Sequence, residues 1–347
     1  MPAPGSTSEA SAGKVPVEDL AERGPVESST GASRLVHRLA VATLCITYLG
    51  IVIGSVVTST KSGLVDKNWP SFDGEVVPSA AAMGSNPARL VEHGHRLVMG
   101  LAGLLALMTC LATLKKEKQP RLRKLSLAVF LAWLPPAILG GLTVLLGLPS
   151  LPSILHVGLA MLFLCAAALL AIVSSPGWSN EKTQVKLSSI SPVFPLAVFS
   201  VVSIYMQIVF GALASHARPG SSGAGETLQG VGNIVHIIWA FAVFTGVVLL
   251  AGKVLGLAKA ERLVHPAVGL LLLLFLQVFL GFFTFINQPD PAKIIAETPG
   301  FAVTGTFVNL RVLHQALGVL ILLVSVLVCA RVYRIRALSI GGQEAAA

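Results

Sequence analysis

The chain has 347 residues and a formal net charge of +9, with 54% hydrophobic and 12% charged residues. A soluble domain carries about 25% charged residues, so this composition excludes an ordinary soluble enzyme. The basic excess follows membrane topology and does not form a nucleic-acid surface.

Residues 1–33 are rich in Ser, Ala, Gly, Pro and Glu and lack an apolar core, which predicts a disordered cytoplasmic tail. Their five acidic residues argue against a mitochondrial transit peptide, and nothing in them reads as a cleavable secretory signal. A bacterial plasma membrane is the expected location. After the tail, long Leu/Val/Ala runs predict eight spans: 39–60, 92–114, 124–148, 152–174, 192–215, 231–256, 266–288 and 310–333. Each is close to the ~20 residues that cross a bilayer as a helix. Unalternated runs satisfy their own backbone in lipid as helices and not as barrel strands. The expected class is an all-α polytopic membrane protein of eight transmembrane helices.

With the N-terminus inside, 18 of the 25 Lys and Arg fall on the cytoplasmic side, including the cluster from Lys115 to Lys124. This bias places both termini in the cytoplasm. Cys45, Cys110, Cys165 and Cys329 all lie within spans and read as small apolar residues, with no disulfide or metal framework. The outer connections at 61–91, 216–230 and 289–309 are long, whereas Leu148-Pro149-Ser150-Leu151 is a tight turn. Long outer loops suggest a cover over something at that face.

An internal repeat runs through the odd spans. Gln207-Ile-Val-Phe-Gly211 and Gln277-Val-Phe-Leu-Gly281 share a five-residue pattern, and Pro136 to Gly140 and Gly50 to Gly54 fall at matching depth. Part of this is ordinary packing through small residues. The even spans hold one histidine each near the outer end: His95, His156, His236 and His314. The chain therefore reads as four helix hairpins or as two four-helix halves. His37, His93, His216 and His265 do not follow the rule and are expected to be structural or surface residues.

One histidine at a helix end is commonly an interfacial residue without a special role. Four at one depth point to a shared ligand. Zinc typically recruits cysteines or carboxylates as well, whereas haem iron takes two imidazoles from paired helices with apolar side chains on the porphyrin faces. Two pairs allow two haems. One turn before each histidine stand Glu92, Ser153, Asn233 and Arg311. Glu92 is a candidate acid or charge-stabilising group, with pairing to Arg96 as its structural alternative. Arg311 is a candidate partner for a haem propionate.

Glu92-His93-Gly94-His95-Arg96 resembles the Glu-x-x-His-Arg of the haem A synthases, membrane enzymes of cytochrome oxidase assembly. Leu139 to Leu145 followed by His156, Gln207 to Gly211, His236, His314, and Ser62-Gly63-Leu64 with Trp69-Pro70 extend the resemblance over about residues 34–335. It implies two pseudo-symmetric four-helix bundles, 34–186 and 187–335, followed by a cytoplasmic tail, 336–347. It further implies that haem O is the substrate, its C8 methyl oxidised to a formyl group, with His95 and His156 holding it and Glu92 near the reacting methyl. His236 and His314 would ligate the iron of a haem B that relays electrons. Candidate partners are haem O synthase, the cytochrome oxidase assembly machinery, membrane lipid and a second copy of the chain; nucleic acid is not among them. The alternative function is a non-catalytic bis-histidine dihaem cytochrome b that carries electrons. Two departures stand out. The cysteine pair that many bacterial members carry in the first outer loop is missing, which excludes disulfide-linked electron delivery there. Pro136 also replaces the Gln of the repeat.

Overall fold

In a computed structural model, residues 32–71, 75, 79, 81, 86–216, 224–257, 260–288 and 305–344 are described. The expected tail up to residue 31 and most of the connections after residues 216 and 288 lie outside them. Eight helices are long and apolar enough to cross a membrane. They are α1 (Arg34–Ser59), α2 (Pro87–Lys116), α3 (Pro120–Leu145), α4 (Ser150–Val173), α5 (Val193–His216), α6 (Ala224–Leu255), α7 (Glu261–Ile286) and α8 (Thr306–Glu344). The all-α polytopic expectation holds. Two single-turn helices, Pro176–Ser179 and Leu187–Ile190, lie between α4 and α5.

The helices start and stop where local chemistry directs. Asn86 caps α2 by accepting from Ala88 N–H at 2.9 Å, with Pro87 following it and Lys115 and Lys116 in the last turn. The chain leaves α1 through Lys61 at φ 56° and α3 through Gly147 and Leu148 at φ 72° and 60°. Each exit is closed by a bond reaching back five residues, Ser62 N to Val57 O at 3.0 Å and Leu148 N to Thr143 O at 2.6 Å. Helix α3 runs unbroken through Pro135 and Pro136. Most helices begin about a turn before their apolar runs, and α8 continues to Glu344, well past the expected span end at 333.

The contacts define two closed rings. In the first, α1–α2, α2–α3, α3–α4 and α1–α4 pack together; in the second, α5–α6, α6–α7, α7–α8 and α5–α8 do the same. Among the described residues the diagonal pairs α2/α4 and α6/α8 have no close backbone contact. The rings meet through α1–α8, α4–α5 and α4–α8, a set that maps onto itself when the halves are exchanged. This is the signature of a pseudo-two-fold axis passing between α4 and α8.

Tight packing gathers away from the histidines. Leu164, Leu250, Leu263 and Leu322 are fully buried in one cluster, and Val129, Phe163 and Leu170 in a second. Small residues bring the helices close, as where Thr43 and Thr109 join α1 to α2 through their hydroxyls at 3.1 Å. The outward faces carry large exposed side chains such as Leu104, Phe241 and Phe279, as lipid-facing helices require.

Candidate functional site

The four repeated histidines project from the diagonal helices of each ring: His95 on α2 and His156 on α4, His236 on α6 and His314 on α8. Each ring is seated by the odd helix before it. His95 Nδ1 lies 2.8 Å from Gly50 O, His156 Nδ1 2.8 Å from Pro136 O, and His236 Nδ1 3.1 Å from Gln207 O. One turn further along, a glycine lies flat against the same ring. A Cβ built at Gly54, Gly140, Gly211 or Gly281 would come within 2.8, 3.0, 3.1 or 3.0 Å of the Cε1 of His95, His156, His236 or His314. The sequence repeat is thus a histidine seat, with a main-chain acceptor at its first position and a glycine at its fifth. A carbonyl at Nδ1 fixes the tautomer that leaves Nε2 with its lone pair. At the position where the repeat has Gln elsewhere, Pro136 still supplies this acceptor, because only its carbonyl is needed.

The two halves differ in what else reaches the imidazoles. The Gln207 amide nitrogen donates to His236 O at 2.9 Å and lies 3.4 Å from His236 Nε2, and that of Gln277 donates to His314 O at 3.0 Å and lies 3.3 Å from His314 Nε2. Gly50 and Pro136, at the equivalent places in the first ring, have no side-chain amide. His314 is turned to the Gln277 main chain, but among the described residues its Nδ1 makes no well-aligned hydrogen bond.

His236 and His314 face each other with ring centroids 6.2 Å apart and planes at 73°. Two imidazoles bound axially to one metal at about 2 Å each, with each centroid about 1 Å behind its nitrogen, need about 6 Å. His95 and His156 also lie near enough to interact electrostatically. Among the described residues no three His, Cys, Asp or Glu side chains are placed to hold a metal ion between them. Each pair is therefore a two-ligand donor set, suited to a metal whose remaining positions are filled by its own macrocycle.

Glu92 is 3% exposed and sits one turn before His95. Its Oε1 pairs with Arg96 at 2.5 Å and its Oε2 accepts from Asp66 N–H at 3.1 Å. Arg96 also donates to Asp66 O at 2.9 Å and Asn68 O at 2.8 Å. Asp66, itself buried, accepts from Asn68 N–H at 2.8 Å and stands 3.5 Å from His93 Nε2. The pairing expected as the structural alternative for Glu92 is thus present, and it clasps the first interhelical loop onto α2. Trp69, in the same loop, lies against Gly141 of α3. His93 is 1% exposed, so it belongs to this clasp and not to the surface.

Arg311 is half-buried one turn before His314, near His216, and makes no hydrogen bond or ion pair among the described residues. Ser153 donates its hydroxyl back to Pro149 O, four residues earlier, at 2.8 Å. Sequence reasoning did not single out Asp66 and Asn68. It found Gln207, Gln277 and the repeat glycines as a pattern but did not assign them to the histidines.

The family model for cytochrome oxidase assembly proteins, COX15-CtaA, matches residues 37–292. The chain is 27% identical over 185 residues to the heme A synthase of Bacillus pumilus, covering 52% of this chain and 58% of that one. It is 28% identical over 190 residues to the heme A synthases of Bacillus cereus (53% and 58%) and Alkalihalophilus pseudofirmus (53% and 62%). The match thus spans about three fifths of the length of these relatives. With the family model covering well over half of the sequence, the chain belongs to the COX15-CtaA family of cytochrome oxidase assembly proteins.

Proposed function

We propose that the protein is a haem A synthase that oxidises the C8 methyl of haem O to a formyl group. The observation that carries this reading is the placement of Glu92. It is a buried carboxylate one turn from His95, and the equivalent turns of the other three histidines bear no carboxylate. Two like sites of which one has an acid are what a substrate site and a relay site require. The names of the relatives support the same activity.

In this reading the first ring, 34–186, takes haem O between His95 and His156, and the second, 187–335, holds haem B between His236 and His314. The bound iron supplies the oxidative chemistry, and the protein supplies position and electrostatics. Gly50 O and Pro136 O keep the substrate-side imidazoles in the ligating tautomer. Glu92 would supply a fixed carboxylate at the substrate end of the site, where it could stabilise positive charge developing on the substrate. Arg96 and Asp66 N–H hold that carboxylate still, so no reorganisation is needed when the charge appears. The clasped loop lays Trp69 against Gly141 of α3 at this end. Arg311, which makes no hydrogen bond or ion pair among the described residues, is suited to a haem propionate. The histidine end faces outward from the plasma membrane and both termini are cytoplasmic, in keeping with the sorting of Lys and Arg. Haem O synthase and the oxidase assembly machinery are the natural supplier and recipient.

The test is to express the protein in membranes supplied with haem O, extract the haems and separate them with mass detection. Haem A or its hydroxylated precursor, absent from a His95→Ala control, establishes the synthase. Haem B alone with haem O untouched would instead mark an electron carrier.

A further inference from the structure

The chain has three tyrosines, and two of them occupy equivalent places in the two halves. Tyr48 lies on α1 two residues before Gly50, the carbonyl that seats His95. Tyr205 lies on α5 two residues before Gln207, the carbonyl that seats His236. Neither hydroxyl stays within its own half. Tyr48 donates to Ala316 O of α8 at 3.2 Å, and Tyr205 donates to Gly158 O of α4 at 3.3 Å. Ala316 is two residues after His314, and Gly158 is two residues after His156. The offsets are the same on both sides, as the pseudo-two-fold arrangement demands.

Both acceptors are small residues, and at Gly158 the fit is close: a Cβ there would stand 3.2 Å from the Tyr205 hydroxyl. Both rings are half-buried and pack against the main apolar cluster, so the hydroxyls are directed and not free to wander. A buried phenol is expected to find a partner. Here it finds one across the seam between the bundles, at the depth of the histidines.

We infer that Tyr48 and Tyr205 are a pair of positioning residues that couple the two histidine sites. Through two residues of helix each tyrosine is tied to a histidine seat of its own half, and through its hydroxyl to a histidine-bearing turn of the other half. A shift of either seat is thereby transmitted across the seam, and the mutual placement of the two sites is held by two symmetric bolts. The inference rests on the reading that both sites take haem.

The test uses the full chain purified with its haems, with ferric low-spin signals recorded by electron paramagnetic resonance. Those signals report the orientation of the two axial imidazoles. Parent protein without haem would overturn the haem reading and this inference with it, before any variant is made. Signals are assigned to halves by their loss in His156→Ala and His236→Ala. Tyr48→Phe, made on α1 of the first half, is expected to shift the signal of the second half at an unchanged haem-to-protein ratio. Tyr205→Phe, the same test with the halves exchanged, is expected to shift the signal of the first half and stands in should Tyr48→Phe not accumulate. Tyr333→Phe, at the exposed third tyrosine, is expected to move neither. An unchanged signal in the opposite half, or an equal shift in Tyr333→Phe, would overturn the coupling.

Discussion

His236 and His314 face each other at 6.2 Å between centroids although the helices that carry them have no close backbone contact. Their separation is set by α5 and α7, which seat each ring from behind. Replacing either histidine with alanine should therefore empty the second-half site while leaving the first-half site occupied. Haem content per protein, measured as the pyridine haemochrome, is expected to fall to about half in either variant and no lower in the double variant.

Glu92→Gln keeps the shape of the side chain but removes the charge facing Arg96. Arg96, only 13% exposed, then loses its ionic partner and keeps its two carbonyls. Hydrogen bonds to charged groups are worth about 1.5–3 kcal/mol, so a loss of this order in thermal or denaturant stability is expected. Haem occupancy should persist while product formation is lost. Full product formation in this variant would remove the role assigned to the carboxylate.

Arg96→Ala addresses the clasp itself. Without the guanidinium the loop loses its bonds from Asp66 O and Asn68 O to α2. Limited proteolysis in proteoliposomes should then cut between residues 61 and 86 at least several-fold faster than in the parent protein, while cleavage at the α3–α4 turn is unchanged.

Glycine seats can be compared directly. A methyl group at Gly54 of α1 would press on His95 at 2.8 Å, whereas one at Gly100, exposed on α2, meets nothing within 4 Å. Gly54→Ala is expected to cost about 1–3 kcal/mol through overpacking and to shift the absorption of the first-half haem. Gly100→Ala should be neutral or stabilising by less than about 1 kcal/mol. Equal effects from the two would show that the ring is not seated on Gly54.

Gln207→Ala and Gln277→Ala remove the amides that hold the His236 and His314 carbonyls. Loss of such outer-shell partners typically weakens metal binding by about 10–100-fold. Competition with apomyoglobin should reveal faster haem loss from the second half alone, since the first half has Gly50 and Pro136 in these places.

Much of this molecule was legible from residue order because lipid makes hydropathy nearly decisive. The eight spans, the four histidines at one depth and the five-residue repeat were all visible as side-chain patterns. The purpose of the repeat was not, since its working atom is a carbonyl oxygen that every residue possesses; this is why Pro136 looked like a departure and is none. The clasp was hidden for a similar reason: Glu92 and Arg96 bind main-chain atoms of Asp66 and Asn68. Helix ends were read short because Arg34, Arg38 and Pro87 break the apolar run without breaking the helix. The crossing tyrosines require knowing which helices meet, and spacing along the chain carries no trace of that.

The contact of α4 with α8 across the pseudo-axis ranks the four histidines. His156 and His314 are inner histidines, borne by helices that touch each other, whereas His95 and His236 are outer histidines, borne by helices that, among the described residues, meet only members of their own ring. Were both sites to hold haem as proposed, the contact of α4 with α8 would offer charge a path between the inner histidines that crosses a single helix interface. A change at an outer histidine is therefore made away from the seam between the halves, and a change at an inner histidine is made on a helix that forms it.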